Sequence, residues 1–178
     1  FAADDVVYVS RYLAHEERVP GARAHIVYNS IEADFAQKAS TFQRPHRPPA
    51  HVLMVCSLKA YKGVNEFVEL AKNLPQYQFR LVLNADQVAI DAWLLPELYP
   101  DNLEVFSTQT NLHPFYQWAD LVLNLSRPDG WVETFGLTVL EGMTYGLPVI
   151  VPPVGGVTEL VEEGRNGYLV DCRDAGLL

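Results

Sequence analysis

Short apolar runs alternate along this chain with stretches whose apolar residues recur at helical spacing. Val6–Ser10 reads as a buried strand and Ala24–Tyr28 as a second, with a short helix ending near Arg18 between them and a turn at Asn29-Ser30-Ile31. Residues 32–40 read as helical. Thr41–Ala50 carries three prolines and no periodicity, which predicts a linker or surface loop. His51–Cys56 is a continuous apolar run suited to a strand buried on both faces. Val64, Phe67, Val68 and Ala71 then fall on one helical face, with Glu66 and Glu69 outside it.

The alternation continues to the end of the chain. Strands are predicted at Phe79–Leu83, Leu103–Phe106, Leu121–Leu125, Val149–Val151 and Tyr168–Val170, and helices at residues 87–98, 112–118, 133–145 and 157–163. Strands and helices in this order imply an α/β fold, a Rossmann-like parallel sheet with helices on both faces. Ligands of such sheets bind beyond the carboxyl ends of the strands, so the loops after Val55, Leu83, Phe106, Leu125 and Val151 are the candidate site.

One stretch organises the rest. Asp129–Glu159 holds Glu133 and Glu141 eight residues apart, Phe135-Gly136 just after the first, a turn signal at Gly146-Leu147-Pro148, and a glycine pair, Gly155-Gly156, before Glu159. A helix running from Glu133 would separate the two carboxylates by roughly 12 Å. That exceeds the roughly 5–9.5 Å of a glycosidase pair. It suits a grip on two ends of one extended small molecule, with helix-start N–H groups between to receive an anion.

Composition narrows the classes. A length of 178 residues suits one domain with an appended fragment of another. No apolar run reaches the roughly 18 residues of a membrane span. Cys56 and Cys172 form no metal spacing and no disulfide framework, which reads as free thiols in a reducing, cytoplasmic setting. His15, His25, His46, His51 and His113 show no i, i+4 pairing, so no metal is expected. Net charge is −9, and from Asp101 onward three basic residues face eleven acidic ones, which argues against nucleic acid as a partner.

The motifs carry a resemblance. Glu133-Thr134-Phe135-Gly136-Leu137 followed by Glu141-Gly142-Met143 resembles the E-x7-E signature of retaining, nucleotide-sugar-dependent glycosyltransferases of family 4. Gly146–Ile150, Gly155-Gly156 with Glu159, and Gly164–Val170 follow in that family's order and at similar spacing. The resemblance implies one half of a GT-B two-domain enzyme: residues 1–40 as the end of the N-terminal acceptor domain and the interdomain crossing, and residues 41–178 as the C-terminal donor-binding domain. It implies a nucleotide diphosphate sugar as substrate, no cofactor, and an acceptor held by the missing domain, through which any peripheral membrane association would run.

Residue by residue, the same resemblance places Lys62-Gly63 at the donor diphosphate. Cys56-Ser57 stands where the family has Gly-Arg, leaving Lys59 as a substitute without the fixed fork of a guanidinium. Glu133 would bond hydroxyls of the donor sugar, the N–H groups of Gly136, Leu137 and Thr138 would meet phosphate or sugar, and Glu141 would take both ribose hydroxyls. The backbone at Val105-Phe106-Ser107, centred on Phe106, would meet the nucleobase edge. Gly155-Gly156 and Glu159 would either contact ligand or form a plain turn with a solvent-facing glutamate. The implied activity is transfer of a hexose with retention, in glycan or polysaccharide biosynthesis. The rival is a non-catalytic sugar-nucleotide-binding module that kept the fold.

Overall fold

The computed structural model describes residues 3–95 and 99–174. Its main body is a six-stranded, wholly parallel sheet in the order β5-β4-β3-β6-β7-β8, made of β3 (His51–Ser57), β4 (Gln78–Asn84), β5 (Leu103–Phe106), β6 (Leu121–Leu123), β7 (Val149–Val151) and β8 (Gly167–Leu169). The chain winds outward from β3 to β5, returns to lay β6 against the other side of β3, and winds outward again to β8. The reversal lies between β3 and β6, and a crevice must open there because successive crossovers leave to opposite sides.

Alternation within β3 feeds two cores. Val52 and Met54 join Phe67 and Ala71 of α3 (Val64–Asn73), Leu81 and Leu83 of β4, and Ile90 of α4 (Gln87–Trp93) on one face. Leu53 points the other way, toward Tyr116 of α5 (His113–Trp118), Val139 of α6 (Leu137–Thr144), Val149 and Val151. Asn102, buried at 8% exposure, donates to the carbonyls of Ala71, Leu74 and Tyr77 and so closes the end of α3. The sheet with helices on both faces is the one the alternation predicts.

Several local expectations are corrected. The run at Val6–Ser10 is a strand only as far as Tyr8, and it is fully buried only at Tyr8 and Ser10. Among the described residues β1 (Asp5–Tyr8) pairs only with β2 (Arg23–Ile26), in a separate two-stranded parallel sheet, and Val7 on its outward face is 63% exposed. The helix expected over 157–163 is a single 3-10 turn, Gly156–Leu160. The helix expected over 87–98 is α4, ending at Trp93, and residues 96–98 lie outside the described residues. Between the sheets come α1 (Arg11–Glu16) and α2 (Ala33–Ser40).

The proline-rich segment is a loop as expected, but it is tied down. Arg47 bonds the Asp120 carboxylate at 2.7 Å and the Trp118 carbonyl at 2.8 Å, Asp120 also takes the N–H groups of Ala50 and His51, and Arg44 donates to the carbonyl of Ala119. These bonds close the foot of the sheet, the end opposite the crevice.

Candidate functional site

Lys62 reaches the crevice because of the residue after it. Lys59–Gly63 leaves β3 through one 3-10 turn, and Gly63 ends it with a φ of 74°. A Cβ there would lie 2.3 Å from the carbonyl oxygen of Leu125, so only glycine lets this turn press onto the loop after β6. The Lys62 ammonium thereby stands 2.6 Å from a carboxylate oxygen of Glu133 and 3.4 Å from the Ser126 hydroxyl. Both charged side chains are mostly withdrawn from water, at 16% and 17% exposure.

Glu133 is not helical, contrary to the expectation of a helix from that residue. Residues 131–136 run as an irregular loop, Gly136 turns left-handed at φ 90°, and α6 begins only at Leu137. The 12 Å separation argued from a continuous helix therefore has no basis. The loop is held from a distance: the N–H of Gly156 donates to the carbonyl of Glu133 at 2.8 Å. Val139 and Leu140 both send their N–H to the Gly136 carbonyl, while among the described residues the N–H groups of Gly136, Leu137 and Thr138 meet no protein acceptor. Three open donors at the start of a helix form a site for negative charge.

These groups converge. Cys56 and Ser57 at the end of β3, Lys62, Ser126 after β6, Glu133 and the Gly136–Thr138 helix start line one cavity of about 310 Å³ at the switch point. Glu141 lies on the far side of that helix start, in a second hollow of about 550 Å³ bordered by Glu32, Lys38, Asn111 and His113, and Leu137 borders both. The two glutamates thus flank one helix start and open into adjacent spaces. A third hollow, about 400 Å³ and mainly apolar, lies at the foot of the sheet among Leu70, Leu74, Tyr77 and Leu121. It sits at the strand ends away from the crevice, so volume alone does not select the site.

Electrostatics separate the members. Burial pushes the Glu141 carboxyl above its usual value, an effect opposed by the Tyr116 hydroxyl, which donates to it at 2.7 Å. Burial also pushes the Cys56 thiol up to about 12, against the pull of the nearby Lys62, so the cavity wall there is a neutral thiol. Tyr116 and Ser126 were not found from sequence. Neither sits in a recognisable motif, and each meets its partner only through the fold.

Other candidates fall elsewhere. Lys59 is exposed and lies outside the cavity lining. Phe106 ends β5 with its ring against Phe115, centroids 5.0 Å apart, and borders neither hollow. Glu159 is exposed, yet its carboxylate is engaged within the chain rather than free in solvent. It accepts the N–H groups of Arg11 and Tyr12 at 3.2 and 2.8 Å and the hydroxyl of Tyr28 at 2.7 Å. Trp118 covers His51 in a stacked pair, whereas Trp131 is 55% exposed beside Tyr61. Among the described residues, no helix is long and apolar enough to cross a membrane.

A parallel doubly wound sheet whose switch-point crevice holds a lysine, a glutamate and an open helix start defines a Rossmann-like α/β protein. The chain belongs to the glycosyl transferases group 1 family, whose model matches residues 37–178. It is 27% identical over 184 residues to the N-acetyl-alpha-D-glucosaminyl L-malate synthase of Bacillus anthracis, covering 97% of this chain and 47% of that one. It is 26% identical over 183 residues to a D-inositol 3-phosphate glycosyltransferase of Paenarthrobacter aurescens, covering 95% and 43%. The chain therefore spans about half the length of these curated relatives. Among solved structures, a glycosyltransferase from Rickettsia africae superposes with a TM-score of 0.76 at 18% identity, over 94% of this chain and 49% of that one. Anabaena HepE in complex with UDP superposes with a TM-score of 0.73 at 22% identity, over 95% and 50%.

Proposed function

We propose that this chain is the donor-binding half of a retaining glycosyltransferase that transfers a hexose from a nucleotide diphosphate sugar, in glycan or polysaccharide biosynthesis in the cytoplasm. The observation that carries the reading is the pairing of Lys62 with Glu133 at the switch-point cavity, beside three helix-start N–H groups that meet no acceptor among the described residues. The cation and the N–H groups suit a diphosphate, and the carboxylate suits sugar hydroxyls.

In this reading the nucleotide lies across the start of α6. Glu141 takes the ribose hydroxyls on one side, the diphosphate meets Lys62 and the N–H groups of Leu137 and Thr138, and the hexose rests against Glu133. When the bond between the anomeric carbon and the phosphate oxygen breaks, negative charge builds on the departing diphosphate. Fixed donors aimed at that charge lower the barrier because they need no reorganisation. The acceptor hydroxyl, supplied from the other side of the cleft, forms the new glycosidic bond on the same face, and its proton leaves with the phosphate. No metal ion has a part in this scheme.

Residues 1–40 are assigned in this proposal to the end of the acceptor domain and the crossing. Support comes from their separate two-stranded sheet and the exposed Val7, Val27 and Tyr28, a surface suited to a neighbouring layer. The rival, a non-catalytic nucleotide-sugar-binding module, draws on one observation: the diphosphate wall at Cys56-Ser57 offers a neutral thiol and a hydroxyl and no cation.

Calorimetric titration of the chain with UDP, GDP and ADP and with their common sugar conjugates tests the reading. Saturable binding of one nucleoside diphosphate and its conjugate is the expected result. Absence of binding to every member of the panel would overturn both readings, and transfer by the intact two-domain protein would dismiss the rival.

A further inference from the structure

Glu159 sits at an unusual junction. It belongs to the 3-10 turn Gly156–Leu160, and the first residues of that turn hold the loop that carries Glu133. A Cβ on Gly156 would lie 1.9 Å from the carbonyl oxygen of Thr134 and 2.6 Å from the Ser10 hydroxyl oxygen. The turn is therefore wedged between the Glu133 loop and the first segment of the chain with no room for a side chain. Thr158 stiffens it, its hydroxyl donating to the Gly155 carbonyl at 2.8 Å.

The first segment grips this turn through Glu159 alone among its charged groups. The carboxylate receives the N–H groups of Arg11 and Tyr12 and the hydroxyl of Tyr28, from two stretches of the segment that flank β2. Tyr28 also reaches the Glu133 loop directly, its ring standing 6.2 Å from that of Phe135. One side chain thus bonds the Glu159 carboxylate and packs on the residue two positions after Glu133. The loop is clamped from behind by Gly156 and from the side by Tyr28, and Glu159 joins the two.

We propose that Glu159 is a positioning residue: with Tyr28 it couples the seating of residues 1–40 to the placement of Glu133, and so tunes sugar recognition without touching the nucleotide. The proposal rests on the assignment of Glu133 to the donor sugar made above. Glu141, on the other side of α6, is outside the clamp, so the nucleoside end of the ligand is insulated from it. The segment that lies across the cleft in the proposed enzyme would thereby report its position to the sugar subsite.

Binding of UDP and UDP-glucose, or of GDP and GDP-mannose where guanine is preferred, tests this by calorimetry. The chains compared are the unmodified one, Glu159→Gln, Tyr28→Phe, Glu133→Gln and the Glu159→Gln/Glu133→Gln pair. Tyr28→Phe keeps the ring on Phe135 and removes only the hydroxyl, which guards against a general loss of folding in the glutamate variant. The expected result is a loss of about three- to tenfold in affinity for the sugar conjugate in Glu159→Gln and Tyr28→Phe, with the bare nucleoside diphosphate changed by less than about twofold. In the Glu133→Gln background the further loss from Glu159→Gln should disappear. Equal weakening of both ligands, or an undiminished effect without the Glu133 carboxylate, would show a merely structural role and overturn the proposal. If Glu133→Gln weakens the conjugate while Glu159→Gln and Tyr28→Phe do not, the coupling fails alone and the site reading stands. If Glu133→Gln itself leaves the conjugate unaffected, or neither pair of ligands binds, both fail together.

Discussion

Replacing Lys62 with alanine removes the ammonium held 2.6 Å from Glu133 and leaves that carboxylate, 17% exposed, without its partner. Two losses follow for a bound diphosphate. The first is a charge-assisted contact, worth about 1.5–3 kcal/mol. The second is new repulsion, because the unpaired Glu133 now faces the phosphates directly. At about 6–8 Å and an effective dielectric constant near 20, two like charges repel by roughly 2–3 kcal/mol before salt screening. Together they should weaken nucleoside diphosphate binding by about 100-fold or more, with far less effect on the bare nucleoside. The structure adds a discriminating partner experiment: in Lys62→Ala/Glu133→Gln the repulsion is gone, so with salt screening it to about 1–2 kcal/mol, about five- to thirtyfold of affinity should return. Titration calorimetry at low and high salt reads all three chains, with a thermal melt confirming that each is folded. An unchanged diphosphate affinity in Lys62→Ala, or a double variant no better than the single one, would refute the assignment of this lysine.

Other consequences are checkable with the same protein. Glu141→Gln should weaken nucleotide and nucleotide sugar alike by about 1–3 kcal/mol, since both carry the ribose. Burial holds the Glu141 carboxyl above its usual 4.5, so its protonated form contributes stability that is present below that value and lost as pH rises through the raised one. At pH 7 the glutamine should therefore not lower the melting temperature, and a clear drop would contradict the buried-carboxylate account. Ser57→Arg should tighten nucleoside diphosphate binding, because residue 57 lines the cavity and a guanidinium binds phosphate through paired donors; unchanged affinity would mean that residue 57 does not face the phosphates. Cys56 and Cys172 have thiols pushed up to about 12 and about 11 by burial, so iodoacetamide at pH 8 should modify them only after unfolding. Rapid labelling of the native chain, followed by mass spectrometry, would count against that packing.

The alternation of apolar runs and helical faces made the parallel sheet legible, because each buried strand and covering helix is written in local periodicity, whereas the strand order and its switch point depend on how distant strands pair. Lys62-Gly63 is placed at the site by the family resemblance, while the Glu133–Glu141 stretch could be picked out as a site candidate from its own spacing and glycines. The start of α6 could not, because the loop at Glu133–Gly136 is held by the N–H of Gly156, a bond between residues far apart in the chain. The Lys62–Glu133 pair spans 71 positions and is likewise invisible to local pattern. Burial along β1 departs from the expectation for a related reason: Tyr8 is buried but Val7 is exposed, because burial depends on what lies over each residue. Glu159 illustrates the same limit, since its partners come from residues 11, 12 and 28.

A crystal structure of the chain with the nucleoside diphosphate that binds tightest tests the central claim most directly. The account predicts the terminal phosphate within hydrogen-bonding distance, about 2.7–3.2 Å, of the Lys62 ammonium and of the N–H of Leu137 or Thr138, with the ribose hydroxyls on Glu141. A nucleotide lodged instead in the apolar hollow at the foot of the sheet, or bound with Lys62 still paired only to Glu133, would contradict it.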